Sequence, residues 1–416
     1  MHWRFLLILM MLAGDVLATP AAPRTLRRLE SGQTVRIVCF GDSITGVYYH
    51  TGDRRAWCDL LGLALQRRFP AARIEMLNAG ISGQTTGDAL PRLETDVLAP
   101  RPDLVVLMFG MNDAAKLAPE TYRANLREFT SRIRARGAEL IFMTPNAVDE
   151  GDPLRPPDRV AAYAEIMREV GRELAVPVAD AFQTFRAVQL RGGPDWWRLM
   201  SNTIHPNLHG HILFAETAAQ TLVGGPVALG ELPILHPGLP HTLARLEAGE
   251  ALQVVAMKPY DVLIGPALRH LFPKAEIRVT AWDPSGKSLE ELEAEAKQTG
   301  WFKFQSHPAT IPPDLVILAV PVAASAPSPQ EFYRSYSWIL NWSQAMGKPA
   351  QWDCLPILPS VAQPDLSETQ RNVEASALTV ILGKDLPVVQ RAPGNSASTN
   401  DVLTHQLETL LHRATP

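Results

Sequence analysis

Six apolar residues follow Asp103 without interruption, Leu104-Val-Val-Leu-Met-Phe109. A strand with one wet face alternates apolar and polar residues. An unbroken run of this length is instead expected in a parallel sheet covered on both faces. Parallel strands need a crossover, normally a helix, between them. The surrounding chain supplies such crossovers. The pattern predicts strands at Val35 to Phe40, 73–77, 138–143 and 177–179. Between them it predicts a helix from about Ala56 to Phe69, ended by Pro70, and one from the Gly-rich stretch Asn78–Thr86 to about Leu98. Further helices are expected near 119–136, near 158–174 and from about Leu208 to Leu222. Strand and helix alternate throughout, which predicts an α/β fold with a parallel sheet between helical layers. In such sheets the working loops gather at the carboxyl ends of the strands.

Three polar loops follow strands directly. The run ending at Phe40 stops at Gly41 and presents Asp42 and Ser43. Gly80-Ile-Ser-Gly-Gln84 follows the second strand, and Gly110-Met-Asn-Asp113 follows the third. A fourth piece, Ile204-His-Pro-Asn207, lies at the start of the helix near Leu208. In order and spacing these blocks resemble those of the SGNH (GDSL-type) esterases and lipases, over residues 35 to about 222. The resemblance implies a flavodoxin-like three-layer α/β/α fold with a serine nucleophile and no cofactor. It implies Ser43 as the nucleophile and His205 as its base. The backbone amides of Ser43 and Gly83 and the side-chain amide of Asn112 would form the oxyanion hole.

One position departs from that pattern. The family usually has an aspartate three residues before the histidine, and here Asn202 stands there. An amide can accept the imidazole Nδ1–H and orient the ring, but stabilises imidazolium less than a carboxylate. Three arrangements fit: a Ser43–His205 pair oriented by Asn202, an acid from elsewhere such as Asp195, or an inactive relic. The first is the reading adopted. His205, His209 and His211 also have the spacing of helical metal ligands, but no cysteine or carboxylate accompanies them, so no metal is expected. Asp42, Tyr48, Tyr49, Trp196 and Trp197 stand as candidate substrate contacts. Packing beneath the loop is the preferred use of Trp196 and Trp197; if they line the pocket with Tyr48 and Tyr49, a carbohydrate ester fits better than a lipid.

A formal net charge of −4 over 416 residues gives no electrostatic footprint for nucleic acid or an anionic membrane. The expected partner is a small-molecule or carbohydrate ester, and oligomeric state is left open. A basic start at Arg4, an apolar run Phe5 to Ala13 and small residues at Val16-Leu-Ala18 read as a secretory signal peptide over 1–18. The run is too short to span a bilayer, so an exported protein without an integral membrane segment is expected. Cys39, Cys58 and Cys354 have no metal-site spacing.

The chain also repeats itself. Thr25-Leu-Arg-Arg-Leu-Glu-Ser-Gly32 recurs as Thr242-Leu-Ala-Arg-Leu-Glu-Ala-Gly249, and Pro102-Asp-Leu-Val-Val-Leu107 as Pro313-Asp-Leu-Val-Ile-Leu318. The reading is a catalytic domain over 19–222, a Pro- and Gly-rich linker over 223–241 and a degenerate copy over 242–416. Where the first copy has Gly41-Asp-Ser43, the second has Lys258-Pro-Tyr260.

Overall fold

A computed structural model describes residues 22–299, 312–322, 328–346 and 350–412. The expected leader over 1–18 lies outside them. The first half holds a five-stranded sheet in the order β2-β1-β3-β4-β5. Its strands are β1 (Thr34–Gly41), β2 (Arg73–Gly80), β3 (Leu104–Met108), β4 (Glu139–Met143) and β5 (Val178–Ala179). Every pair is parallel. The register brings Gly41 opposite both Gly80 and Met108, so three strands end level and their loops meet at one edge.

All five residues of β3 are buried, as its unbroken apolar run requires. Phe40 packs edge-on against Phe109 and Phe129, with ring centroids 5.3 and 5.6 Å away. These aromatics anchor β1 just before it delivers Ser43.

Some elements differ from the sequence expectation. β2 extends to Gly80, because it stays paired with β1 up to Gly41. The helix expected up to Leu98 is broken into an α turn (Thr86–Ala89), a 3₁₀ turn (Leu90–Arg92) and a π segment (Leu93–Leu98). Pro91 explains the break, since it has no N–H for the helical ladder. Helices Ala181–Arg191 and Gly193–Trp197 fill the stretch before the histidine block.

The second half holds a four-stranded parallel sheet in the order β7-β6-β8-β9. Its strands are β6 (Leu252–Met257), β7 (Ile277–Trp282), β8 (Leu315–Ala319) and β9 (Asp353–Ile357). This repeats the order of the first four strands. The amino-end hydrogen bonds repeat as well. Asp103 Oδ2 accepts from Arg36 N at 2.9 Å, and Asp314 Oδ2 from Gln253 N at 2.7 Å. Thr25 N donates to Glu139 and Thr242 N to Asp353, each at 2.7 Å. Counting along β1 and β6 from Arg36 and Gln253 sets Ser43 against Tyr260, a buried phenol.

Between Val223 and Pro240 the chain has neither helix nor strand. The two halves meet along a polar seam. Arg55 pairs with Asp385 at 2.9 Å with both side chains buried, and Gln344 Nε2 donates to Tyr49 O at 2.8 Å. Among the described residues no helix is long and apolar enough to cross a membrane.

Candidate active site

Ser43 sits in the turn that ends β1. Asp42 shapes this turn: its Oδ1 accepts from Ile44 N at 2.9 Å, and its carbonyl accepts from the amides of Thr45 and Gly46. Gly41 is required by close approach, since a Cβ there would come within 2.6 Å of Met108 O and 2.1 Å of Thr45 Oγ1. The turn holds Ser43 Oγ 2.9 Å from His205 Nε2, across 162 residues of sequence.

His205 is fixed from behind. Asn202 Oδ1 accepts from the amides of Ile204 at 3.0 Å and His205 at 2.7 Å, which settles which side-chain atom is the oxygen. His205 Nδ1 then lies 3.3 Å from Oδ1 and 3.2 Å from Nδ2 of Asn202. Desolvation, followed by the positive charges of Arg155 and Lys384, lowers the His205 pKa to about 3, and Asp152 opposes this. The imidazole is therefore neutral at ordinary pH and able to accept a proton.

Asn112 lies at the start of the short helix Met111–Lys116, after β3. Its Nδ2 contacts Asp42 Oδ2 at 3.3 Å and Gln84 O at 3.1 Å. Its Oδ1 accepts from Arg155 Nη2 at 2.9 Å. A guanidinium only donates, so this contact fixes the amide's orientation, with the N–H groups toward the Ser43 loop. Arg155 is itself held by Met111 O at 3.2 Å and by Asp152 at 2.8 Å. Gly83 adopts φ +76°, a left-handed conformation that suits glycine, on the neighbouring loop.

The remaining sequence candidates divide. Tyr48 and Tyr49 are half-buried; Tyr48 Oη accepts from Ser82 N at 3.1 Å, and the Tyr49 ring lies 4.2 Å from that of His50. Trp197 borders a cavity of about 300 Å³ that also touches Asn202. Two candidates are corrected. Asp42 is 1% exposed with its carboxylate turned onto the loop and Asn112, and burial lifts its pKa to about 7. Trp196 is 3% exposed and its indole N–H is spent on Asp149 at 2.6 Å. Asp195, the other candidate acid, pairs with Arg191 on the surface. The remaining histidines are committed elsewhere: His211 Nδ1 accepts from Trp57 N at 3.0 Å and His209 Nε2 donates to Thr379 O at 3.2 Å.

Four neighbours of the site went unread in the sequence: His50, Asp152, Arg155 and Ser201. His50 stacks on His205, with centroids 4.0 Å and planes 12° apart. Ser201 lies just before the histidine block, and its hydroxyl is 2.8 Å from His50 Nδ1.

Residues 39–213 match the model of the GDSL-like lipase/acylhydrolase family. The chain is 31% identical over 186 residues to the uncharacterized lipoprotein YqeF of Bacillus subtilis (strain 168), covering 38% of this chain and 74% of that one. It is 26% identical over 209 residues to an acetylxylan esterase of Geobacillus stearothermophilus, covering 45% and 94%. An arylesterase of Vibrio mimicus is 27% identical over 189 residues, covering 45% and 88%. Ser43 and His205, in contact from opposite ends of the matched region, lie within it, and the chain belongs to the GDSL-like lipase/acylhydrolase family as a carboxylic ester hydrolase.

Proposed function

We propose that this protein is an exported serine esterase that removes a short acyl group, most simply acetyl, from a carbohydrate through an acyl-enzyme on Ser43. The observation that carries the reading is the 2.9 Å contact of Ser43 Oγ with His205 Nε2. As Oγ attacks the ester carbonyl carbon, its proton passes to His205 Nε2. The carbonyl oxygen becomes an oxyanion, stabilised by the amides of Ser43 and Gly83 and by Asn112 Nδ2. Collapse of the tetrahedral intermediate breaks the bond to the alcohol oxygen, which takes the proton from His205. Water, activated by the same imidazole, then releases the acid and restores Ser43.

Asn202 takes the place of the third member. For His205 Nε2 to accept a proton, its Nδ1 must carry one and donate it to Asn202 Oδ1. The carbohydrate assignment draws support from the acetylxylan esterase relative. It also draws on the cavity beside Asn202, bordered by Asp149, Glu150, Trp197, Glu331, Tyr333 and Arg334. Carboxylates, a guanidinium and two aromatic rings suit hydroxyl groups and sugar faces better than a long acyl chain. Export rests on the basic and apolar start of the chain and on a relative named as a lipoprotein. The second half is read as a duplicated domain that lost its nucleophile, supported by the repeated strand order and hydrogen bonds.

A fluorophosphonate probe tests nucleophile activation directly. Ser43 is expected to be the labelled residue, and Ser43→Ala to abolish both labelling and turnover of p-nitrophenyl acetate. Wild type with no more turnover than that variant sinks the esterase reading. Faster cleavage of a long-chain acyl thioester than of an acetylated xylooligosaccharide sinks the carbohydrate part alone.

A further inference from the structure

The second half reaches the base of the site through one tripeptide. The helix Glu368–Leu382 ends in Gly383-Lys384-Asp385, and each of these residues bonds to the first half. Gly383 O accepts from Leu208 N at 2.8 Å, at the first turn of the helix that follows His205. Asp385 Oδ1 accepts from Arg55 at 2.9 Å. Lys384 Nζ donates to Ser201 Oγ at 2.5 Å and to His50 O at 3.2 Å. Lys384 is 0% exposed, and among the described residues no carboxylate forms an ion pair with it. Burial pushes the Lys384 pKa well below that of an exposed lysine, and a long polar side chain held in a dry interior is costly unless its hydrogen bonds are made, so its retention calls for a use in the contacts it makes.

That use follows from the donors around Ser201. Its Oγ receives Lys384 and, at 3.4 Å, Asn341 Nδ2. Ser337 Oγ donates to Ser201 O at 3.0 Å and lies 3.5 Å from Ser201 Oγ. The Ser201 hydrogen therefore has one good acceptor, His50 Nδ1 at 2.8 Å. This leaves the His50 proton on Nε2, keeps the ring neutral and sets it flat against His205. The stack holds the imidazole whose Nε2 meets Ser43.

We infer that Lys384 is a positioning residue for the catalytic base, acting through Ser201 and His50, and that the second half is a required part of the active site. A copy stripped of its own chemistry is then retained because it supplies Lys384, Ser337 and Asn341 to the first. The inference rests on Ser43 and His205 being nucleophile and base.

The test uses the full chain. Lys384→Met keeps an unbranched side chain but removes the N–H donor. It is expected to lower kcat about 10–100-fold, as small misplacements of a catalytic group do, with KM changed less than about twofold. Fluorophosphonate labelling of Ser43 should slow by the same factor. Lys384→Gln, which restores an N–H donor, should recover part of the rate. Ser201→Ala should resemble Lys384→Met, and the double variant should be no slower than Ser201→Ala, because both act on one line of contacts. A folded Lys384→Met with wild-type kcat, or two effects that multiply, overturns the inference. Should Lys384→Met not fold, Ser201→Ala decides alone: wild-type kcat there overturns it and the expected loss supports it. Wild-type labelling of Ser43 is the control, and its absence would instead overturn the esterase assignment.

Discussion

The two side-chain atoms of Asn202 lie almost equally far from His205 Nδ1, 3.3 Å for Oδ1 and 3.2 Å for Nδ2. An amide so placed supports two tautomers. Donation from Nδ1–H to Oδ1 leaves Nε2 free to take the Ser43 proton. Donation from Nδ2–H to Nδ1 puts the proton on Nε2 and blocks that step. Oδ1 already accepts two backbone N–H groups, which weakens it as an acceptor for a third.

Asn202→Asp removes this ambiguity. A carboxylate only accepts, so Nδ1 must carry the proton, and its charge stabilises the imidazolium that forms during attack. The reverse change in a serine protease costs about 10⁴ in turnover, largely through the wrong tautomer. Here at least about a tenfold rise in kcat/KM is expected, less than the full factor because the native amide can still adopt the productive arrangement. The acid limb of the pH profile should also move up from its low position, because a carboxylate raises the pKa that burial and neighbouring cations hold at about 3. Rates across pH 4 to 8 measure both effects; an unchanged rate and limb would remove Asn202 from the triad.

Arg155 ties the Asn112 loop to His205, the proposed oxyanion donor and base. It fixes Asn112 Oδ1 and Met111 O, and its charge is the largest neighbouring influence lowering the His205 pKa. Arg155→Met should lower kcat by about tenfold or more, with a smaller change in KM, since an oxyanion donor free to rotate stabilises the transition state less. The acid limb should shift upward as the positive charge is lost. Arg155→Lys should keep the charge and the limb but recover little of the rate, because an ammonium does not reproduce the fork to Met111 O, Asn112 and Asp152. Steady-state kinetics on the two variants separate the roles.

The first sheet was legible because parallel strands covered on both faces read as unbroken apolar runs, and β1, β3 and β4 lie close to where those runs put them. Ser43 and His205 were legible because each lies in a loop just after or just before an element, where loops converge. Asp42 misled, and Trp196 follows its packing use, for one reason: a polar or amphipathic side chain beside a site can serve the loop instead of the ligand, and only contacts tell these uses apart. His50 and Lys384 were beyond reach. Their meaning comes from a contact across 334 residues, between halves whose docking leaves no periodicity in either.

Asp42 carries the last prediction. Burial raises its pKa from 3.8 to about 7, against the favourable hydrogen bond from Ile44 N. A carboxyl whose folded pKa is raised binds more protons in the folded state than in the unfolded one between those two values. Its contribution to stability therefore falls as pH rises from about 4 to 7 and stays low above that. At about 1.4 kcal/mol per unit, the lost contribution is on the order of a few kcal/mol. Asp42→Asn keeps an oxygen for Ile44 N but removes the titration. It sets an amide N–H against Asn112 Nδ2, a fixed cost that does not vary with pH. Urea unfolding at pH 5, 6, 7 and 8 should find the variant least favoured at pH 5, gaining on wild type up to about pH 7 and then holding level. A stability difference that stays constant over this range would place the Asp42 pKa in the ordinary carboxylate range and remove the buried proton from the turn that presents Ser43.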